Sequence, residues 1–226
     1  MNSKHGGKGV AVHRTCMRDQ IRNAIVSRIL DGLWPPGVRL KELALAREFN
    51  VSQAPVREAL RELEALGLVE SERYRGTRVR GIDLAELREA YELRAEIEEA
   101  AARRAVPCRD ADLAVLEPEL AAMRKAAAAD DTEAYTASVV RFHRGIVEMS
   151  GNRVFLRAWE LMAWDVRARI AMQRIGLIGL YTDQRAQVLA ALRAGDGPRA
   201  GSLLRRISEQ LLARLDAMEL ARDNRA

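Results

Sequence analysis

Arginines at helical spacing carry most of the chemistry legible in this sequence. Arg57 and Arg61 lie four residues apart in VSQAPVREALRELEALGL, Val51 to Leu68, on the side away from Val56, Leu60, Leu63 and Leu66. A guanidinium fork on the free face of an amphipathic helix matches the paired acceptors of a guanine edge, so these residues predict contact with DNA bases. A second pair of arginines falls on stripes that should face inward. Leu84, Leu87, Tyr91, Arg94 and Ile97 or Glu98 form one stripe, and Tyr181, Arg185, Val188 and Leu192 form another. A buried guanidinium requires an anion beside it. Two sources are open: an internal carboxylate, from Glu92, Glu96, Glu98 or Asp165, or a bound carboxylate, sulfonate or phosphate gripped by the arginine forks.

The first pair needs an element that presents it. Ser52 suits a helix N-cap, and Pro55 sits in the first turn, where a missing N–H costs least. Upstream, Lys41 to Asn50 reads as a short helix with Leu43, Ala46 and Phe49 on one face, and Asn50 to Gln53 joins the two as a helix-turn-helix. A first helix spans Thr15 to Asp31 with Met17, Ile21, Ile25 and Ile29 as its stripe, ended by Pro35-Pro36-Gly37. Downstream, LVES and TRVR flank the polar turn Glu72 to Gly76 and predict a hairpin bearing Arg73, Arg75 and Arg78, a basic wing. The succession Leu45-Ala46, Val51-Ser52 and PVREAL from Pro55 to Leu60 resembles the winged helix of the GntR superfamily of bacterial transcription regulators. That resemblance implies a homodimer on a near-palindromic double-stranded operator, most often as a repressor. In such a complex the turn of Ser52, Gln53, Ala54 and Pro55 enters the major groove. Arg57 reads a guanine, with Arg61 on the same exposed side; Gln53 reads an adenine edge; Arg75, Gly76 and Thr77 touch backbone or minor groove; and Lys41 touches a phosphate. Gln53 departs from the family, in which many members carry Arg there. For Arg57 the competing reading is a local ion pair with Glu58 or Glu62.

Charge is divided to suit this reading. Residues 1–80 carry 15 Lys and Arg against 9 Asp and Glu, a net of +6, whereas residues 81–226 carry 22 against 23, a net of −1. The basic end is the expected DNA end. Cys16 and Cys108 lie far apart without metal-type spacing and read as thiols of a reducing compartment. The opening MNSKHGGKGVAV lacks the apolar core of a signal peptide and no run is long enough to span a bilayer, so a cytoplasmic protein without membrane contact is expected.

The sequence thus predicts a mostly α protein. A flexible arm, 1–14, precedes a winged helix-turn-helix domain, 15–80, with a small β-hairpin wing, and 81–226 form an all-α domain. Asp83 caps its first helix, and helices fall near 83–106, 109–128, 131–149, 152–174, 182–194 and 198–222. Tyr91 to Ala105, Arg141 to Asn152 and Val188 to Ala200 resemble the FadR-type, or FCD, effector domain. This resemblance implies an antiparallel helical bundle that encloses a small ligand, often a carboxylic acid, and mediates dimer contacts; six helices rather than seven point towards the VanR-like branch. It places the ligand site at Tyr91, Arg94, Val139, His143, Arg185 and Ile207. Many members hold a divalent metal there with one Asp and three His. Here the Asp position is Val139, the first His is kept as His143, and the remaining two positions are Arg185 and Ile207. One imidazole does not make a metal site, so no metal cofactor is expected; a bound ion would require other acids, such as Asp165 or Asp183, to complete the set. Trp159 and Phe155 share the face of Met162 and Val166 and read as core, while Trp164, off that stripe, reads as core or interface.

With three His, no nucleophile–base spacing and no phosphate loop, an enzyme is not expected. The expected function is a ligand-responsive transcription regulator, a repressor released from its operator by a small anionic metabolite. The alternatives are a DNA-binding dimer whose effector domain is vestigial, and a metal-dependent FCD sensor.

Overall fold

The computed structural model describes residues 17–72, 76–80, 83–176 and 178–223. The chain divides into two compact units, one running to Gly81 and the other from Ile82. The expected arm 1–14, Cys16 and the wing-tip residues Arg73 and Arg75 lie outside the described residues.

In the first unit, α1 (Met17–Leu30), β1 (Arg39–Leu40), α2 (Glu42–Glu48), α3 (Gln53–Ala65), β2 (Val69–Glu72) and β3 (Gly76–Val79) follow in order. Ile21, Ile25, Val26 and Ile29 of α1 meet Val56, Ala59, Leu60 and Leu63 of α3 in a closed apolar core. Arg22 of α1 also reaches Glu62 of α3 at 3.2 Å. Asn50 makes the turn between α2 and α3 with φ 52°, a left-handed conformation that asparagine tolerates better than most side chains. The hairpin pairs Val69 with Val79 and Glu72 with Gly76. The sheet has a third strand that the sequence did not announce: β1 pairs antiparallel with β3, Leu40 opposite Thr77, so the order is β1-β3-β2. Two expected core residues are exposed instead. Met17 is at the first turn of α1, and on α2 it is Leu45 with Ala46 that turns inward, leaving Leu43 about half exposed (49%).

The second unit is helical among the described residues: α4 (Leu84–Arg104), α5 (Asp110–Ala128), α6 (Thr132–Met149), α7 (Arg153–Leu161), α8 (Trp164–Ile175), α9 (Thr182–Arg193) and α10 (Gly197–Asp223). Asp83, Asp131 and Asn152 cap α4, α6 and α7 through side-chain acceptors, which satisfies backbone donors that would otherwise lack partners. Helices α4 and α10 run in close contact. A β-carbon on Gly201 would lie 2.9 Å from the carbonyl oxygen of Glu99, so only glycine permits this approach. Arg88 of α4 pairs with Asp216 and Glu219 of α10, and Arg205 of α10 with Glu96 and Glu99 of α4.

The bundle has seven described helices rather than six, which removes the basis for the VanR-like branch. The expected helix 152–174 breaks at Ala163, whose φ of 45° is left-handed. In one unbroken helix Trp159 and Trp164, five residues apart, would point about 140° away from each other. The break turns both into the same interior, where each is 2% exposed and their rings lie 6.2 Å apart. A left-handed alanine costs about 1–2 kcal/mol, less than burial of one additional indole returns.

Candidate functional site

Two sites, one in each unit, gather the residues singled out above. In the first unit Ser52, Gln53 and Ala54 stand exposed at the start of α3, Pro55 is half-buried, and Arg57 and Arg61 are exposed. Ser52 holds the N-cap position with extended backbone (φ −72°, ψ 165°), but its hydroxyl does not close onto the helix. Strand β1 delivers Lys41 to the wing: Arg39, Lys41, Glu42, Gly76 and Thr77 line one open depression. Gly76 turns at φ 81°, and the Thr77 hydroxyl lies 3.2 Å from that of Ser71. Arg75 is not described.

Arg57 is held by a partner that helical spacing could not reveal. Its Nε and Nη2 both donate to Glu42 of α2, each at 3.0 Å, and the hydrogen bond and charge of Glu42 raise its already high pKa. Of the two local alternatives, Glu62 turns to Arg18 and Arg22, and the fork of Arg57 spans from α3 to α2. The pair occupies the Nε–Nη2 edge of Arg57, so bidentate contact with another acceptor through that edge requires Glu42 to release it.

In the second unit several helices line a small cavity of about 20 Å³, which must widen to take more than a water-sized guest. Helix α4 contributes Tyr91 and Arg94, α6 contributes Tyr135, Thr136 and Val139, and α8 contributes Ala168 and Met172. Leu180, Tyr181 and Arg185 approach from the start of α9, and Ile207, Ser208 and Leu211 from α10. Five of the six expected ligand residues, Tyr91, Arg94, Val139, Arg185 and Ile207, therefore share one wall system. The sixth, His143, is 1% exposed and lies behind the wall rather than on it. Tyr135, Thr136 and Ser208 were missed, although they flank Val139 and Ile207 at helical spacing. Tyr135 donates to the Leu180 carbonyl at 2.7 Å, which ties α6 to the turn before α9.

The buried polar groups form a chain. Arg94 Nε donates to Glu98 Oε1 at 2.7 Å, Trp159 Nε1 donates to the same oxygen at 2.9 Å, and His143 Nδ1 meets Glu98 Oε2 at 2.7 Å. On the other edge of the imidazole, Arg185 Nε donates to His143 Nε2 at 3.0 Å, and Arg185 Nη1 donates to the Leu180 carbonyl at 3.1 Å. An arginine N–H is always a donor, so Nε2 must carry the lone pair and Nδ1 the proton. His143 is accordingly neutral. Burial and the nearby Arg94 charge push its pKa down to about 3, against the pull of Glu98. Burial alone would raise the Glu98 carboxyl, yet the Arg94 charge and the bonds from His143 and Trp159 hold it at about 2. Of the four candidate anions for Arg94, Glu98 is the one within reach, while Glu96 serves Arg205. For Arg185 the hydrogen-bond partners among the described residues are an imidazole and a carbonyl. Arg94 lies between aromatic faces, 4.7 Å from the Trp164 ring, and its buried Nη2 finds no hydrogen-bond acceptor among the described residues.

Comparison with known proteins places both units. Residues 17–79 match the bacterial regulatory proteins of the gntR family, and residues 89–210 match the FCD domain. The chain is 34% identical over 184 residues, 81% of each chain, to a probable D-xylose utilization operon transcriptional repressor of Paenarthrobacter nicotinovorans. This protein belongs to the GntR family and carries an FCD domain. It is also 32% identical over 133 residues to the gluconate operon transcriptional repressor of Bacillus licheniformis, covering 58% of this chain and 54% of that one. A GntR transcriptional regulator from Rhodococcus sp. RHA1 superposes with a TM-score of 0.70 at 25% identity over 90% of this chain and 99% of its own. The GntR-family protein is thus a DNA-binding transcription regulator, its mostly helical architecture that of a winged helix-turn-helix followed by a helical domain.

The metal site of many FCD relatives does not fit the residues of this regulator. Val139 and Ile207 offer no donor, and both ring nitrogens of His143 are engaged, Nδ1 with Glu98 and Nε2 with the Arg185 guanidinium. Among the described residues no group of three or more His, Cys, Asp or Glu is placed to hold an ion. Asp183, an alternative acid, is 95% exposed in its side chain.

Proposed function

We propose that this regulator is a repressor that binds a near-palindromic operator as a homodimer and is released by a small carboxylate-like metabolite, without a metal. The observation that carries the reading is Arg185: a guanidinium 4% exposed, lining a cavity, whose hydrogen-bond partners among the described residues are a neutral imidazole and a carbonyl rather than a carboxylate. Such a charge is costly to leave uncompensated, and an anion in the cavity supplies the compensation. The unsatisfied Nη2 of Arg94 on the same wall supports it. Hydroxyls of Thr136, Tyr181 and Ser208 suit a hydroxylated acid, in keeping with relatives named for sugar and gluconate operons. In the reading unit, Arg57 contacts a base, Gln53 an adenine edge, and Lys41 and Thr77 the backbone.

A thermal-shift screen of small organic acids, repeated in the presence of operator DNA, tests this function. An effector at about 100 times its Kd should stabilise the free protein by roughly 2.7 kcal/mol and weaken operator binding. A protein whose operator affinity no acid alters has a vestigial effector domain, and the sensing role falls.

A further inference from the structure

The cavity contains more charge than its arginines alone suggest. Arg94 and Arg185 bring two positive charges to the wall, and Glu98 brings one negative charge directly behind it, paired with Arg94. His143 is neutral by the hydrogen-bonding argument above. Burial keeps the Tyr91 phenol protonated. Arg167 of α8, a third largely buried arginine, is matched by Glu86 at 3.0 Å. One positive charge is therefore left over. The rest of the described wall is apolar side chains and neutral hydroxyls, with no third cation to receive a second ligand charge.

We infer that Glu98 is a specificity-determining residue that fixes the charge of the effector: its carboxylate cancels one of the two cavity arginines, so the site accepts a monoanion and rejects a dianion of the same skeleton. This rests on the anion-binding reading of the pocket. Glu98 cannot swing away to admit more negative charge, because both its oxygens are committed, one to Arg94 and Trp159 and the other to His143. A second carboxylate would enter a buried space with no cation to receive it, at a desolvation cost that an ion pair elsewhere does not repay. The effector class is thus a monocarboxylate bearing hydroxyls, rather than a dicarboxylate or a phosphate ester.

The test uses matched acids of two to six carbons, each monocarboxylate paired with its dicarboxylate, butyrate with succinate and 3-hydroxybutyrate with malate among them, titrated calorimetrically into the full-length protein at neutral pH. The parent should bind the monoanion of a pair at least about tenfold more tightly. Glu98→Gln, which keeps the shape but leaves a surplus of two charges, should lose or reverse that preference. The double variant Arg94→Met, Glu98→Gln removes a positive and a negative charge together; it should bind more weakly yet keep the parent's order, and it provides a measurable protein where the single variant fails to fold. Equal or tighter binding of dianions by the parent overturns the charge rule while leaving an anion pocket in place. So does an unchanged order in Glu98→Gln or a lost order in the double variant. Absence of binding by every acid in the series overturns the anion-pocket reading itself.

Discussion

Arg185 and Arg94 face the same cavity from unlike supports, and their substitutions should separate accordingly. Arg94 has a fixed carboxylate in Glu98, whereas Arg185 rests on His143 and the Leu180 carbonyl. Replacing Arg185 by Ala is expected to abolish the ligand response while leaving operator binding intact, since the reader residues belong to another unit. Arg185→Lys should fail likewise, because an ammonium cannot reproduce the planar fork. Calorimetry with the effector and an operator-release assay check this; a variant that binds ligand normally but melts early makes Arg185 structural. Acid should weaken the bundle in two windows. His143 is lowered from 6.5 to about 3 in the fold, so below pH 6.5 the unfolded chain takes up the proton first and stability falls as pH drops towards 3. Glu98 is lowered from 4.5 to about 2, so its contribution is present above pH 4.5 and is lost as pH falls through 2. Melting curves of His143→Gln against the parent should lose the slope between pH 6.5 and 4.5 while retaining the lower one. At this scale the inward arginines were legible from helical period alone. The identity of Arg94's anion was narrowed only to four acids, and the Glu98–His143–Arg185 chain, which joins three helices, has no signature in local spacing. Arg57's brace at Glu42 was hidden for the same reason.

Among the elements, those with long periodic stripes were readable and those fixed by tertiary contacts were not. Asp83, Pro107 and Gly195 marked helix ends, but Ala163 is no breaker by type; its turn exists because two tryptophans must share one interior. Glycine at that position should relieve the left-handed strain, so Ala163→Gly is expected to raise the unfolding free energy by up to about 1 kcal/mol in chemical denaturation; a loss of stability would mean that the methyl group is needed there. Strand β1, two residues long, is too short to show a period, yet it sets Lys41 beside Thr77. The α4–α10 contact makes a sharper prediction. Gly201→Val must force the Glu99 backbone away, at a cost of about 1–3 kcal/mol. Because α4 carries Arg94 and α10 carries Ile207, the same change should weaken effector binding, which urea melts and calorimetry on one sample can show together.

For the molecule as a whole, the surplus of six positive charges in residues 1–80 against a near-neutral remainder assigns its electrostatics to the DNA end. Operator affinity should therefore fall steeply with salt. Arg57→Ala is expected to weaken the operator by about tenfold or more and relax one base position, whereas Lys41→Ala should weaken all sequences alike and reduce the salt slope by about one. Binding isotherms across salt concentrations on operator and scrambled duplexes distinguish the two, and an Arg57→Ala protein with unchanged affinity and selectivity would remove α3 from the major groove. The seat of the Arg185 guanidinium on His143 has a consequence beyond the pocket. On the proposed function, a sensor whose imidazole is already capped by its own arginine is expected to work without a transition metal. Its response to metabolite should be the same after chelator treatment as before, so the genes it controls would answer to the effector even when zinc or manganese is scarce.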